Sequence, residues 1–361
     1  MAQDSSNKKE LGQFYTTNQE YILQGFKIPV NIRHIIEPFA GNGDLINFVK
    51  KMDPDNRFEL ECCDIEPKHP YITKLDTLQN PPNYTNKFLI TNPPYLARNK
   101  SKTKALFDKY DVNDLYKCLI KELLTNQCLG GILIIPLNFW SSIRKADIDL
   151  RKSFLSHYSI VLLNIFEERV FDDTSYTICS FQFELIRGAV EQPRTLDIMV
   201  YPSNINIKTQ LNENNNYIIG GEIYHLTLSD AYKITRLTKK NKAKANTNIL
   251  VKCIDDNEQN KIGLTFVADK DIYVDITPNQ SARTFASLVI EPAISQEKQK
   301  QLIEKFNNFL EAYRKKYNSL FLTNYRESKD IARKRISFDL VYSIIEYILE
   351  NFESHGDFRQ I

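Results

Sequence analysis

The chain is short of several features that would narrow its chemistry at once. No apolar run approaches the roughly 18–20 residues that a membrane span needs. The segment Met1 to Glu10 is polar and lysine-containing, with no apolar stretch of the signal-peptide kind, so no signal peptide is expected. The six cysteines (Cys62, Cys63, Cys118, Cys128, Cys179 and Cys253) include no C-x-x-C pair, and the five histidines form no cluster. A zinc or other metal site and a disulfide framework are therefore not expected, and a reducing cytoplasm suits these thiols. There is also no strong charge of either sign. Forty-seven basic and 45 acidic residues leave a formal +2, so any attraction to nucleic acid must come from how charge is distributed. No internal repeat is visible.

What is present is ordinary globular sequence. The 361 residues exceed the roughly 100–200 of a typical domain, which makes two domains the natural expectation. Strands are expected at Ile32–Ile36, Phe58–Cys63, Lys87–Thr91, Ile132–Ile135, Ile160–Ile165 and Tyr176–Ile186, with a further short run reaching Asp76. Helices are expected at Leu11–Phe26, after Asp44 as a cap, and over 112–129. Strand alternating with helix implies a mostly parallel sheet covered on both faces. Near Gly188 the composition turns richer in Pro, Asn and Thr and the alternation fades. A boundary is expected there, giving domains 1–187 and 188–361. The second part mixes strand-like runs (Ile262–Val267, Ile272–Ile276) with helices. The last of these, Phe338–Phe352, carries an apolar stripe suited to core packing.

Chemistry concentrates in two motifs. Asn92-Pro93-Pro94-Tyr95 follows an apolar strand. A planar amino group is a poor nucleophile because its lone pair is delocalised. Two acceptors aimed at its two N–H bonds free that lone pair; here the Asn92 side-chain oxygen and the Pro93 carbonyl would serve. The paired prolines restrict the backbone that carries the second acceptor. Tyr95 offers a flat face to an unstacked base. A plain Pro-Pro turn after a strand is the alternative reading. The second motif, Glu37-Pro38-Phe39-Ala40-Gly41-Asn42-Gly43, places glycines where backbone must approach a ligand closely. It is not G-x-G-x-x-G. Asp64 closes the next strand, where a carboxylate can hold ribose hydroxyls, with Ile65 beside it. Asp76 could accept from an adenine amine. Each Asp alone also reads as a solvated turn residue.

Taken in order, these motifs resemble the gamma-type amino DNA methyltransferases, in which the N-P-P-Y motif follows an F-x-G-x-G turn and a target-recognition domain comes last. Gly12-Gln13-Phe14-Tyr15-Thr16-Thr17 resembles the family's N-terminal motif, with Thr17 where Pro is common. Gly130 to Trp140 resembles a later core strand and its loop. Val170-Phe171-Asp172-Asp173-Thr174 resembles the segment whose aromatic packs on the flipped base. The resemblance covers about residues 11–187. It implies an α/β fold: a Rossmann-like S-adenosylmethionine-dependent methyltransferase sheet with a C-terminal α+β target-recognition domain. It implies S-adenosyl-L-methionine as cofactor, held by Tyr15, Thr16, Glu37, Pro38, Phe39, Ala40, Gly41, Asp64, Ile65, Asp76 and Asn92. Catalysis would fall to Asn92, Pro93, Tyr95 and Phe171, acting on N6 of a flipped adenine in double-stranded DNA. A cognate restriction endonuclease for the same site would fit, and no membrane partner is implied. The Pro-Cys dipeptide of cytosine-C5 chemistry is absent.

Two basic runs support a nucleic-acid partner. Residues 231–252 hold Lys233, Arg236, Lys239, Lys240, Lys242, Lys244 and Lys252 with no acid. Residues 314–335 hold Arg314, Lys315, Lys316, Arg326, Lys329, Arg333, Lys334 and Arg335, with Tyr313, Tyr317 and Tyr325 interleaved. The alternatives keep the N-P-P-Y chemistry and change the substrate to an RNA adenine or a protein glutamine amide. The long basic half after the core speaks against the latter.

Overall fold

A computed structural model describes residues 16, 18–171, 176–188, 195–257, 259–275, 284–326 and 332–352. The chain divides into two compact units. The first runs to Phe139 and resumes over Arg144–Gln210; the second holds Trp140–Ile143 and the chain from Leu211 onward.

The first unit is built on a nine-stranded sheet: β1 (His34–Glu37), β2 (Glu59–Asp64), β3 (Thr73–Lys74), β4 (Phe88–Thr91), β5 (Gly130–Pro136), β6 (Tyr158–Phe166), β7 (Ile178–Leu185), β8 (Leu196–Tyr201) and β9 (Ile205–Thr209). Their spatial order is β3-β2-β1-β4-β5-β7-β6-β8-β9. Strands β1 to β5 run parallel, and β7 lies antiparallel between β5 and β6. Strands β4 and β5 are buried at every residue, as strands covered on both faces should be. This is the Rossmann-like α/β sheet expected from the sequence. Chain order reverses between β1 and β4, so the loops leaving β1, β2 and β4 diverge and leave a crevice at their carboxyl ends.

The second unit is α+β. Strands β10 (Lys233–Arg236), β11 (Ile249–Lys252), β12 (Gly263–Phe266) and β13 (Phe285–Glu291) form an antiparallel sheet in the order β10-β13-β11-β12. Helices Gln296–Tyr317 and Phe338–Glu350 and a hairpin of β14 (Thr323–Arg326) and β15 (Ala332–Arg335) accompany it. Among the described residues, no helix is long and apolar enough to cross a membrane.

Several expectations need correction. The domain boundary falls after Gln210, not at 187/188, because β8 and β9 pair onto β6 and extend the first sheet. The expected helix over 112–129 is Leu115–Thr125, and a separate helix that was not expected, Ala105–Tyr110, precedes it. Asp111, in the left-handed region at φ 50°, ends Ala105–Tyr110. Gly43 (φ 78°), not Asp44, stands at the cap of helix Asp44–Met52, and Asp44 is its first residue. Of Leu11–Phe26 only Gln19–Ile22 is helical among the described residues. Of Ile272–Ile276, the described part forms no strand and makes a single bridge, Asp275 to Thr238. Helix Lys145–His157 escaped sequence reading because its buried face carries Asp147 and Arg151 beside Leu150 and Phe154, which masks the apolar period.

Candidate active site

The loop after β1 is shaped from beneath by β2. Gly41 takes φ 49° and Gly43 φ 78°, and a Cβ at Gly43 would lie 2.3 Å from the Tyr71 hydroxyl oxygen, so this turn requires glycine there. Asp64 accepts the Gly41 N–H through Oδ2 at 2.8 Å and the Glu66 N–H through Oδ1 at 2.7 Å. The Ala40 N–H donates to the Cys63 carbonyl at 2.9 Å. The turn after β1 and the end of β2 are thus bound into one rigid floor. Asp76 closes its own turn by accepting the N–H groups of Leu78 (3.2 Å) and Gln79 (3.1 Å), both through Oδ1. Its Oδ2 is left for another donor.

Glu37 sits behind this floor and is fully buried. It accepts the Phe39 N–H at 3.1 Å and the Thr91 hydroxyl, joining the ends of β1 and β4, while its Oε2 has no hydrogen-bond partner. Burial pushes its pKa up to about 8 against the opposing hydrogen bonds of Thr91 and Phe39, and the nearby Asp64 charge adds to the rise. The group is therefore a protonated carboxyl at neutral pH, which suits an oxygen with no donor beside it.

At the end of β4 the Asn92 side chain is held from both sides. Its Nδ2 donates to Thr16 Oγ1 at 3.0 Å, and its Oδ1 accepts the Tyr95 hydroxyl. The same hydroxyl oxygen lies 2.7 Å from the Ile134 carbonyl of β5. Burial drives the Tyr95 phenol well above its usual range, so it stays a neutral donor. The loop beyond is clamped to helix Leu115–Thr125: Asp114 Oδ1 accepts the Leu96 N–H at 3.1 Å, and Leu115 N–H donates to the Leu96 carbonyl at 3.2 Å.

These loops enclose a cleft of about 280 Å³. Of the residues expected to hold a cofactor, Thr16, Phe39, Ala40, Gly41, Asp64, Ile65, Asp76 and Asn92 line it. Glu37 and Pro38 do not; they shape the turn from behind, Pro38 by accepting the Thr77 hydroxyl at 3.0 Å. Pro94 rather than Pro93 reaches the cleft wall. Tyr95 and Phe171, expected to offer stacking faces, are each only 3% exposed and line no part of it. Tyr95 instead meets Tyr116 and Tyr176 edge to face. Tyr15 lies outside the described residues.

Sequence reading missed part of the wall: Leu78, Ser101, Thr103, Leu106, Phe107 and Asp44. Leu106 and Phe107 lie on a six-residue helix too short to show a period. Burial raises the Asp44 pKa, with His69 pulling the other way.

In the second unit the basic runs separate into two kinds of residue. Arg314 binds Asp256 through two nitrogens (2.7 and 3.0 Å) and donates to the Ile262 carbonyl, and Tyr313 and Tyr317 are core. Arg333 pairs with Asp255. These arginines and rings hold the fold, against the expectation of phosphate contacts. Lys239, Lys240 and Lys242, on an exposed turn, keep that potential.

No protein-family model matches the chain, and no curated protein does. Solved structures similar to parts of it include a type I restriction-modification methyltransferase subunit from Streptococcus thermophilus (15% identity, TM-score 0.40, 55% of this chain and 51% of that one). A modification subunit of a putative type I restriction enzyme from Vibrio vulnificus gives 10% identity and TM-score 0.42, covering 56% and 51%. A putative class I S-adenosylmethionine-dependent methyltransferase from Listeria monocytogenes gives 11% and 0.39, covering 50% and 61%. The chain thus spans about half to three-fifths of the length of these proteins.

Proposed function

We propose that this chain transfers a methyl group from S-adenosylmethionine to N6 of an adenine drawn out of double-stranded DNA. The observation that carries this reading is the meeting of Asn92 with Gly41, Asp64 and Asp76 in one cleft at the carboxyl ends of β1, β2 and β4. The donor set fits the cofactor. Ile65 (37% exposed), Leu78 and Phe107 supply apolar surface for a purine; Asp76 Oδ2 can take its amine, and Asp64 retains lone pairs for hydroxyls. When bound, S-adenosylmethionine supplies an electrophilic methyl on a sulfonium centre.

The chain's own residues would orient the amine. Asn92 Oδ1 already accepts a hydrogen bond, from Tyr95. An incoming amine N–H takes that place, and the phenol keeps the Ile134 carbonyl as its acceptor. The Pro93 carbonyl is the proposed second acceptor. With both N–H bonds held, the nitrogen lone pair is free for attack, and positioning does most of the work. Tyr95 and Phe171 are closed off here, so a stacking role requires them to be uncovered as the base enters. The second unit is the proposed target-recognition domain, with exposed lysines to meet phosphates.

The test is to incubate the protein with labelled cofactor and, separately, duplex DNA, RNA and protein, then to identify the product by mass spectrometry. N6-methyladenine in duplex DNA is expected. Label confined to RNA or to a glutamine amide would overturn the reading.

A further inference from the structure

Three acids line the cleft of the first unit, Asp44, Asp64 and Asp76, and none of the described lining residues is basic. Their oxygens are not equally engaged. Asp64 gives one to the Gly41 N–H and the other to the Glu66 N–H, and Asp76 gives one to its own turn. Asp44 accepts no hydrogen bond and makes no ion pair among the described residues, so both its oxygens are open. It is the first residue of helix Asp44–Met52 and is half-buried at the cleft wall.

The backbone around Asp44 is fixed. The Gly43 N–H donates to the Ala40 carbonyl at 2.6 Å, and the Asn47 N–H donates to the Gly43 carbonyl at 3.0 Å. The neighbouring cations are turned to other partners. His69 Nε2 donates to the Asn42 carbonyl at 2.9 Å and its ring stacks on Tyr71, while Lys50 Nζ lies 4.9 Å from the centre of the same Tyr71 ring. His69 acts on Asp44 only through space. An acid in the first turn suits the helix dipole, but a dipole asks nothing of a cleft.

We infer that Asp44 binds the α-ammonium at the methionine end of the cofactor. This rests on the S-adenosylmethionine reading above and adds the residue that recognises the amino-acid end. That reading gives Asp76 the purine amine, Asp64 the hydroxyls and Asn92 the amine under attack, which leaves Asp44 as the remaining acid of the wall. The cofactor has two positive centres, the sulfonium and the α-ammonium. The sulfonium offers no N–H, and a carboxylate against its methyl would compete with the substrate amine as nucleophile. The ammonium offers three N–H donors, which open carboxylate oxygens accept as charge-assisted bonds.

The test is calorimetric titration of the full chain, wild type and Asp44→Asn, with three ligands: S-adenosylmethionine, S-adenosylhomocysteine and methylthioadenosine. The asparagine keeps the side chain's shape and removes its charge. The variant should bind S-adenosylmethionine and S-adenosylhomocysteine each about ten- to a hundredfold more weakly, because both carry the ammonium. Methylthioadenosine keeps the adenosine and the sulfur and lacks the amino-acid end, so it should bind wild type and variant equally. That equality also reports an intact fold. Unchanged affinity of the variant for S-adenosylmethionine, with wild type binding it, would overturn the role of Asp44 alone. An equal loss for all three ligands would overturn it in favour of a part in shaping the turn after β1. A loss for S-adenosylmethionine with S-adenosylhomocysteine unchanged would move the carboxylate to the sulfonium and overturn the assignment to the ammonium. Failure of wild type to bind any of the three would overturn the cofactor reading and this inference together.

Discussion

The acids at the cleft of the first unit and Asp256 in the second are held to different ends. In the first, buried or nearly buried Glu37, Asp64 and Asn92 bind loop backbone or each other's neighbours at the strand ends, and valence is left over: Glu37 Oε2 has no partner, and Asp76 Oδ2 takes no bond. In the second, Asp256 is saturated. It holds Arg314, the Ser319 hydroxyl at 2.6 Å and the Ile262 N–H at 2.9 Å. A buried acid with every lone pair engaged is architecture. One with spare capacity beside a cleft is where a ligand can be met. In the second unit the basic residues divide likewise: Arg314 pairs inward with Asp256, while Lys239, Lys240 and Lys242 are exposed.

Asn92→Ala probes the first half of this contrast most severely. Loss of one preorganised acceptor costs about 3–4 kcal/mol, so single-turnover rates should fall roughly a hundred- to a thousandfold with duplex affinity kept. Turnover close to wild type would remove the distinction between the two units.

Arg314→Ala attacks the second half. Leaving Asp256 buried and uncompensated should destabilise the protein by about 3 kcal/mol in urea unfolding. Burial raises the Asp256 pKa, but the hydrogen bonds of Arg314 and Ser319 and the Arg314 charge outweigh it, and the net shift is downward. A depressed folded pKa gives stability that is present above the ordinary carboxylate pKa and lost as pH falls through the folded value. The variant should lose part of that acid limb.

Glu37→Gln should act with the opposite sign. A folded pKa raised to about 8 means the folded state holds a proton that the unfolded state releases near 4.5. Wild-type stability from this group therefore declines as pH rises from about 4.5 to 8. The glutamine variant keeps an acceptor for Phe39 and Thr91 and lacks this decline, so it should gain roughly 3.5 kcal/mol relative to wild type between pH 5 and pH 8. A pH-independent difference would show that Glu37 is ionised in the fold.

Tyr95→Phe should have the smallest effect, about two- to threefold in turnover with unchanged duplex affinity, because the bond it removes orients Asn92 only until the amine takes its place. A loss of duplex binding instead would place the hydroxyl on the DNA.

Much of the first unit was legible because its chemistry demands particular residues at particular backbone positions. A strand end that presents Asn92, glycines at Gly41 and Gly43 with positive φ, and an acid closing β2 leave few alternatives in sequence. The roles of Glu37 and Tyr95 were not legible. Whether a side chain lines a cleft or braces it from behind depends on packing between β1, β4 and β5, which no local pattern records. The boundary was misplaced because β8 and β9 add to the sheet edge with little local signature. In the second unit composition suggested phosphate contacts throughout, and only pairing geometry separates Arg314 from Lys239.

The central claim, that the cleft of the first unit seats S-adenosylmethionine, is tested most directly by calorimetric titration of the cofactor into wild-type protein and Asp64→Ala. Asp64 both braces Gly41 and faces the cleft. Wild type should bind one cofactor per chain, and the variant, if still folded by circular dichroism, should bind roughly ten- to a hundredfold more weakly, as expected for loss of a charged hydrogen-bond acceptor. Equal affinity in the two proteins, or no binding to wild type, would contradict the account.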